Sequence, residues 1–283
     1  MAVCEELHFT KAAEKLGISQ PTLSQQIRIL ENELGMPLFD RIGKKIVVTE
    51  AGSLLFSYAT EMLNTLQNVK DAIKDLQELQ GGQISVGIMP SDLDYRITQL
   101  VIDFHEKFPK VKLKILASID IMRQVLENEV DIGIGTNVEA DDRLVMIPLC
   151  REEYVLVVSK EHALAKQTAI TIAELKELPM VMYPEGFLGR EVVEDAVKTH
   201  GFQLHTILET SSVTSIMNLV RENIGVTVQP YPLIQQMNDP NLCSIRILNG
   251  APSRSLSIIY RIDRYVSQAT TAFIEQLKEY FTG

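Results

Sequence analysis

Gln20, Thr22, Ser24, Gln25 and Arg28 recur over a short stretch as hydrogen-bonding groups suited to the base edges of a DNA duplex. Glutamine fits a bidentate contact with adenine, serine and threonine adapt to several edges, and arginine takes guanine or phosphate. Pro21 and Thr22 add apolar surface for a thymine methyl, and Ser19 stands just ahead of them. Further on, Arg41, Lys44 and Lys45 are placed for phosphate or minor-groove contact. Singly, each is what any solvated helix face shows. As an ordered set they read sequence, provided a helix carries them into the major groove.

The elements that would do so are legible. Phe9–Gly17 has Thr10 as a candidate N-cap, a helix-forming middle and a terminal glycine. A second helix follows, with Ser19 or Gln20 at its cap, Pro21 in its first turn and Gly35 at its end. Leu23, Ile27, Leu30 and Leu34 predict one buried stripe along it. Two short helices broken by a glycine turn make a helix-turn-helix. Leu38–Arg41 and Ile46–Thr49, joined through Ile42-Gly43-Lys44-Lys45, then predict a two-stranded ribbon with a basic tip, the winged form.

From about Ser53 to Gln80 there is neither glycine nor proline. Leu55, Ala59, Met62, Leu66, Val69, Ile73 and Leu76 follow a heptad rhythm, which predicts a dimerising coiled coil more readily than a helix packed on its own domain. Beyond Gly81-Gly82, buried strands and helices alternate: strands near 84–88, 112–117, 130–135, 154–159, 179–183, 204–209, 225–229 and 255–261, with helices near 91–107, 119–129, 188–200, 212–222 and 269–280. That alternation predicts an α/β sheet with parallel neighbours in two lobes.

The whole chain has 283 residues and a net charge of −10, which at first argues against nucleic acid. The charge is unevenly spread: residues 1–52 carry six Lys/Arg against seven Asp/Glu, so most of the excess lies elsewhere. No run of apolar residues is long enough to span a membrane, and no secretory leader is evident. Cys4, Cys150 and Cys243 are few and scattered, as in a reducing cytoplasm.

Phe9-Thr10-x-Ala12-Ala13-x-x-Leu16-x-x-Ser19-Gln20-Pro21-x-Leu23-Ser24-x-Gln26-Ile27-x-x-Leu30-Glu31-x-x-Leu34-Gly35-x-x-Leu38-Phe39-x-Arg41, continuing through Thr49-x-Ala51-Gly52, resembles the DNA-binding domain of LysR-type transcriptional regulators. Gly82-x-Ile84-x-Val86-Gly87, Phe108-Pro109, Val130–Ile134 and Gly225-Val226-Thr227 are similar to that family's effector-binding region, so the resemblance spans nearly the whole chain. Members of that family usually begin some ten residues earlier, so the resemblance implies that this chain opens inside the first helix. The resemblance implies a winged helix-turn-helix over 1–52, a linker helix pairing subunits over 53–80, and an effector-binding domain over 81–283. It further implies two α/β lobes like those of a periplasmic binding protein, 82–153 with 257–283 and 154–256, linked by two crossover strands.

It implies function as well: a cytoplasmic regulator that binds double-stranded DNA as a homodimer or homotetramer, answers to a small-molecule effector by allostery and meets RNA polymerase. The effector belongs in the inter-lobe cleft, where strand ends and helix N-termini favour a small anion or carboxylate. Ser91, Ser118 and the Gly186-Phe187 turn match effector positions of relatives, and Thr136-Asn137 is a further candidate; helix capping is the plain alternative for each Ser, Thr and Asn. Arg190 could pair with an anion, although a helical arginine is more often a surface charge; Asp92 and Asp94 would disfavour a highly charged anion unless they face away.

Enzyme chemistry is not expected. His8, His105, His162, His200 and His205 lack metal-ligand spacing, and no nucleophile elbow, phosphate loop or dinucleotide fingerprint occurs. No cofactor is implied. Cys150 and Cys243 could form a redox pair, but buried structural thiols fit their apolar settings better. The rival reading is a solute-binding α/β protein without DNA-binding activity.

Overall fold

The computed structural model describes residues 1–42, 45–77, 82–136 and 140–282. The chain divides into two compact units, Met1–Ile73 and Lys74–Gly283.

The first unit opens with helices α1 (Ala2–Glu6), α2 (Phe9–Leu16) and α3 (Gln20–Leu34). His8, in extended conformation, precedes α2, so Thr10 lies inside the first turn and is not its cap. Gly17 and Gly35 end α2 and α3 at φ 67° and 70°, in the left-handed region that glycine enters without a Cβ clash. Strands β1 (Phe39–Ile42) and β2 (Lys45–Val48) pair antiparallel as the wing, and α4 (Glu50–Gln77) follows. Val3, Phe9, Ala12, Ala13 and Leu23 are the buried core, with Ile27, Phe39 and Ile46 against it. The stripe expected along α3 is only half realised. Leu23 is buried, but Leu34 is 48% exposed. At 1.5 Å per residue α3 outruns the shorter α2, whose 8 residues cannot cover its last turn.

Two polar clamps fix the wing. Glu31 Oε1 accepts from the Leu38 and Phe39 N–H groups at 2.8 and 3.3 Å. Thr49 Oγ1 donates to the Pro37 carbonyl at 2.7 Å and accepts from Gly52 N–H at 3.0 Å, capping α4. A Cβ on Gly52 would lie 2.1 Å from the Leu38 carbonyl oxygen, so this contact admits only glycine.

The second unit is built on a mixed sheet. Strands β3 (Gly82–Ile88), β4 (Val111–Ala117) and β5 (Ile132–Thr136) run parallel in the order β4-β3-β5. The sheet continues antiparallel through the late strand β12 (Ser253–Arg261) to β6 (Leu144–Ser159). Strands β10 (Thr227–Pro230) and β11 (Leu242–Leu248) pair antiparallel with the far half of β6, and β7 (Ala169–Thr171) lies beside β11. Strands β8 (Pro179–Met182) and β9 (His205–Glu209) form a separate parallel pair. The helices are α5 (Pro90–Asp92), continued by a π-helical turn over Leu93–Ile97 into α6 (Thr98–Lys107), then α7 (Ile121–Leu126), α8 (Leu188–Lys198), α9 (Val213–Arg221), α10 (Tyr231–Met237) and α11 (Gln268–Thr282). Phe104, Phe273, Ile84, Ile132 and Ile258 anchor one core, and Leu156, Leu175, Met180, Val193 and Ile245 anchor another.

The parallel neighbours expected throughout therefore occur in β4-β3-β5, β8-β9 and β7-β11, while β12 and β6 are antiparallel to their partners. Strand β6 begins ten residues earlier than the sequence suggested. Pro148 and the charged run Arg151-Glu152-Glu153 conceal it. A bulge opposite Leu256/Ser257 leaves Leu149 out of the ladder and so accommodates the proline.

Candidate functional site

The first candidate surface is α3. Ser19 caps the helix: its Oγ accepts from Thr22 N–H at 3.3 Å and lies 2.7 Å from Thr22 Oγ1. Gln20 Nε2 donates to Ser24 Oγ at 2.9 Å, and both side chains are half-buried. Pro21, Thr22, Gln25 and Arg28 are exposed. The expected reading set is thus split between residues that bond one another along the helix and a free outer face. Lys44 lies outside the described residues, as do the side chains of Arg41 and Lys45, whose backbones belong to the wing strands.

Along α4 the heptad positions Met62, Leu66, Val69 and Ile73 are 69%, 51%, 49% and 51% exposed. Leu55 and Ala59 are half-buried, and the side chain of Leu76 lies outside the described residues. Four large apolar groups left on one face of a helix need a partner surface.

The second candidate is a cavity of about 280 Å³ in the second unit. That lies near the lower end of small-molecule sites, which span about 300–1,000 Å³. Its wall is assembled from distant segments: Ser91 at the start of the α5 path, Phe187 and Gly189 at the start of α8, Ser212 and Thr214 at the start of α9, Gln229 on β10 and Arg254 on β12. The first turns of α8 and α9 border the cavity at Gly189 and at Val213 and Thr214; the Arg190 and Ser215 amides behind them are taken by the Phe187 carbonyl and Ser212 Oγ. Tyr183 and Phe187 stack in parallel, with centroids 5.7 Å apart, along one wall.

Of the residues singled out in the sequence, Ser91 and Phe187 line this cavity. Gly186 adjoins it at φ 82°. Ser118 and Thr136 stand outside the lining: Ser118 Oγ accepts from Asp120 N–H at 3.0 Å, and buried Thr136 faces Met89 Sδ at 3.9 Å. Asn137 lies outside the described residues. Arg190 is neither a surface charge nor free for an anion. It is buried, donating to Glu194 at 2.6 Å, Glu209 at 2.5 Å and the Tyr183 carbonyl at 3.1 Å.

Of the floor, sequence reading marked only Asp92, which turns away from a ligand to meet Arg254; Arg254 and Glu152 were missed. Arg254, Asp92 and Glu152 are all buried. Arg254 donates to both oxygens of Asp92 at 2.5 and 3.1 Å and to Glu152 Oε2 at 2.8 Å. Arg96, over the Phe281 ring, reaches Glu152 Oε1 at 3.1 Å. Burial alone would depress the Arg254 guanidinium, but the facing carboxylates carry it above its ordinary value. Burial also pushes the Tyr154 hydroxyl up to about 12 and raises that of Tyr183. Two contacts bridge the halves: Tyr95 OH lies 3.4 Å from Thr214 Oγ1, and Gln236 Nε2 donates to Tyr280 OH at 3.1 Å. The readable trace of this floor was the charged residue at an inward position of an apolar strand, Arg254 ahead of Leu256 and Ile258.

Cys150 and Cys243 do not form a pair. Cys150 lies on β6, and Cys243 sits opposite Val158 of that same strand. Eight strand residues at about 3.3 Å each place them roughly 26 Å apart, against the ~7 Å that a disulfide tolerates. Burial first, then Glu152, pushes the Cys150 thiol up to about 11. It therefore stays protonated below that pH. At pH 8 roughly one thiol in a thousand is ionised, so we expect iodoacetamide to label Cys150 slowly, with a rate rising about tenfold per pH unit. Peptide mass spectrometry of the folded protein measures this; labelling at pH 8 as fast as free cysteine would refute it.

Among the described residues no helix is long and apolar enough to cross a membrane, and no group of three His, Cys, Asp or Glu could hold a metal ion. Residues 1–53 match the family model described as bacterial regulatory helix-turn-helix protein, lysR family, and residues 77–282 match that of the LysR substrate binding domain. A probable RuBisCO transcriptional regulator of Cyanophora paradoxa is 31% identical, over 99% of this chain and 90% of its own length. Among solved structures, a cysteine mutant of OxyR from Corynebacterium glutamicum shares the fold at TM-score 0.66 and 24% identity, covering 99% of this chain and 89% of that one. Full-length CbnR complexed with its target DNA does so at TM-score 0.60 and 18% identity, covering 99% and 96%.

Proposed function

The chain belongs to the LysR family of DNA-binding transcriptional regulators, and from that premise we propose that two copies, joined along α4, place α3 in successive major grooves under the control of a small carboxylate-bearing ligand held in the cavity. The free outer face of α3 carries this reading. Among the described residues, Gln25 and Arg28 are exposed with no side-chain bond within the helix, while Ser19 is bonded to Thr22 and Gln20 to Ser24. Base edges are read by Gln25, with the exposed Thr22 methyl for a thymine methyl, and Arg28 with the wing cations Arg41, Lys44 and Lys45 fixes the register on phosphate.

Two such helices meet half-sites about 34 Å apart. Helix α4, with 28 residues at 1.5 Å each, is about 42 Å long and can serve as the brace between them. Pairs of dimers form a tetramer that bends the intervening DNA, and the promoter-bound assembly meets RNA polymerase in the cytoplasm. Ligand binding is coupled to DNA binding because the ligand favours one angle between the two halves of the second unit. The rival, a solute-binding protein without DNA-binding activity, gives no role to residues 1–53 or to the exposed seam.

The test is a set of binding isotherms on the duplex upstream of the protein's own gene and on a scrambled duplex, at two salt concentrations. Gln25→Ala is expected to lose about 1–3 kcal/mol on the specific site and little on the scrambled one. Lys45→Ala is expected to weaken both alike and to lower the salt slope by about one. Equal losses from both variants would sink the assignment.

A further inference from the structure

The formal charge of the cavity wall narrows the ligand further, on the premise that the cavity is the ligand site. Two ionisable groups of fixed sign line it, Arg254 and Asp94. Arg254 is committed to Asp92 and Glu152, and Arg96 completes a set of two cations and two anions that sums to zero. Asp94 is exposed and has no ion-pair partner among the described residues. Behind the rim, Arg190 faces Glu185, Glu194 and Glu209, a further excess of negative charge. A purely anionic ligand would meet Asp94 with nothing to offset it.

An anionic group is nonetheless provided for. The first turns of α8, with 11 residues, and α9, with 9, open on the cavity at Gly189 and Thr214. Tyr154 supplies an independent sign of a missing partner. It is 2% exposed, it lines the cavity, and its hydroxyl has no hydrogen-bond partner among the described residues. What little of Tyr154 is exposed belongs to a residue of the cavity wall, so a ligand oxygen there can supply the partner that the protein does not.

We propose that the cavity takes a small zwitterion, a molecule with one carboxylate and one ammonium, of the amino-acid class. The carboxylate accepts from the first-turn N–H groups of α8 and α9 and from the Tyr154 hydroxyl. The ammonium donates to Asp94. The apolar remainder lies between Ile119 and the stacked Tyr183 and Phe187.

The test uses matched triads on the full chain by calorimetry: L-leucine, 4-methylpentanoate and 3-methylbutylamine; L-phenylalanine, 3-phenylpropanoate and 2-phenylethylamine; 5-aminopentanoate, pentanoate and pentylamine. In at least one triad the zwitterion is expected to bind tenfold or more tightly than both its partners. Asp94→Asn should erase that preference by weakening the zwitterion at least tenfold, with the plain acid unchanged or improved. Tyr154→Phe should weaken zwitterion and acid together. A plain acid that binds as tightly as its amino counterpart overturns the proposal, as does silence from all three zwitterions or a preference that survives Asp94→Asn. Ser212→Trp, which fills the cavity, separates the two ideas. If zwitterion binding survives it, the ligand lies elsewhere and the cavity reading fails. If a plain acid binds and Ser212→Trp abolishes that binding, the cavity stands and the zwitterion falls.

Discussion

Replacing Arg254 with methionine is expected to destabilise the second unit by about 3–5 kcal/mol, the cost of leaving a buried charge without its counter-ion. The size follows from position. The Arg254, Asp92 and Glu152 side chains are only 4%, 3% and 2% exposed. Without the guanidinium, Asp92 loses both of its charged hydrogen bonds. Glu152 is better protected because Arg96 still reaches its other oxygen. The damage should therefore centre on Asp92, and Asp92→Leu combined with Arg254→Met should recover most of the loss. Non-additivity of that kind is expected of side chains in direct contact. For a unit of this size the single variant should melt roughly 6–20 °C lower. Calorimetry on the full chain, tracking the transition of the second unit, reads both numbers. A single variant within about 1 kcal/mol of the parent would show that the ion set adds nothing to stability.

A glutamate at position 66 is expected to dissociate the protein and to lower its affinity for a two-half-site duplex by about 10²–10⁴, the range that effective concentration supplies to paired binding modules. Leu66 is 51% exposed on α4, so the substitution leaves no hole in the single chain. Glutamate is also a good helix former, so α4 itself should persist. The loss arises only where the seam meets a second copy and a carboxylate would be buried against leucine and methionine. Ser57→Glu, exposed off the heptad stripe, is the control and should leave mass and affinity unchanged. Sedimentation and anisotropy measure the two effects. A Leu66→Glu protein that keeps both its mass and its affinity would rule out α4 as the pairing surface.

The legible parts of this protein are those whose signals are local. Ser19, Pro21 and Gly35 bracket α3 because capping, first-turn proline and left-handed glycine are decided within a few residues. The rhythm from Leu55 to Ile73 shows on α4 as an exposed stripe for the same reason. Strand β11 and helix α10 escaped notice because Leu242–Leu248 carries serine and arginine and Tyr231–Met237 is a short helix behind a proline. The cavity was legible only at its helix starts. Tyr154, Gln229 and Arg254 reach it from three strands far apart in the chain, and no spacing rule links them. The split within the α3 face was likewise hidden, since Gln20 could equally have pointed outward until its bond to Ser24 was seen.

Strand β6 has a mechanical consequence. Residues 144–153 are laddered to β12, and residues 154–159 to β10 and β11, so one unbroken extended segment is stitched into both halves of the unit. At the junction the Tyr154 amide also donates to the Pro252 carbonyl at 2.9 Å, tying in the return crossing. Neither half can slide along the other without unzipping its own ladder. What remains is torsion about the shared segment near Glu153–Tyr154, beside the Tyr154 ring in the cavity wall. Under the proposed function, a ligand seated there would act on the rest of the unit through twist and not through distance.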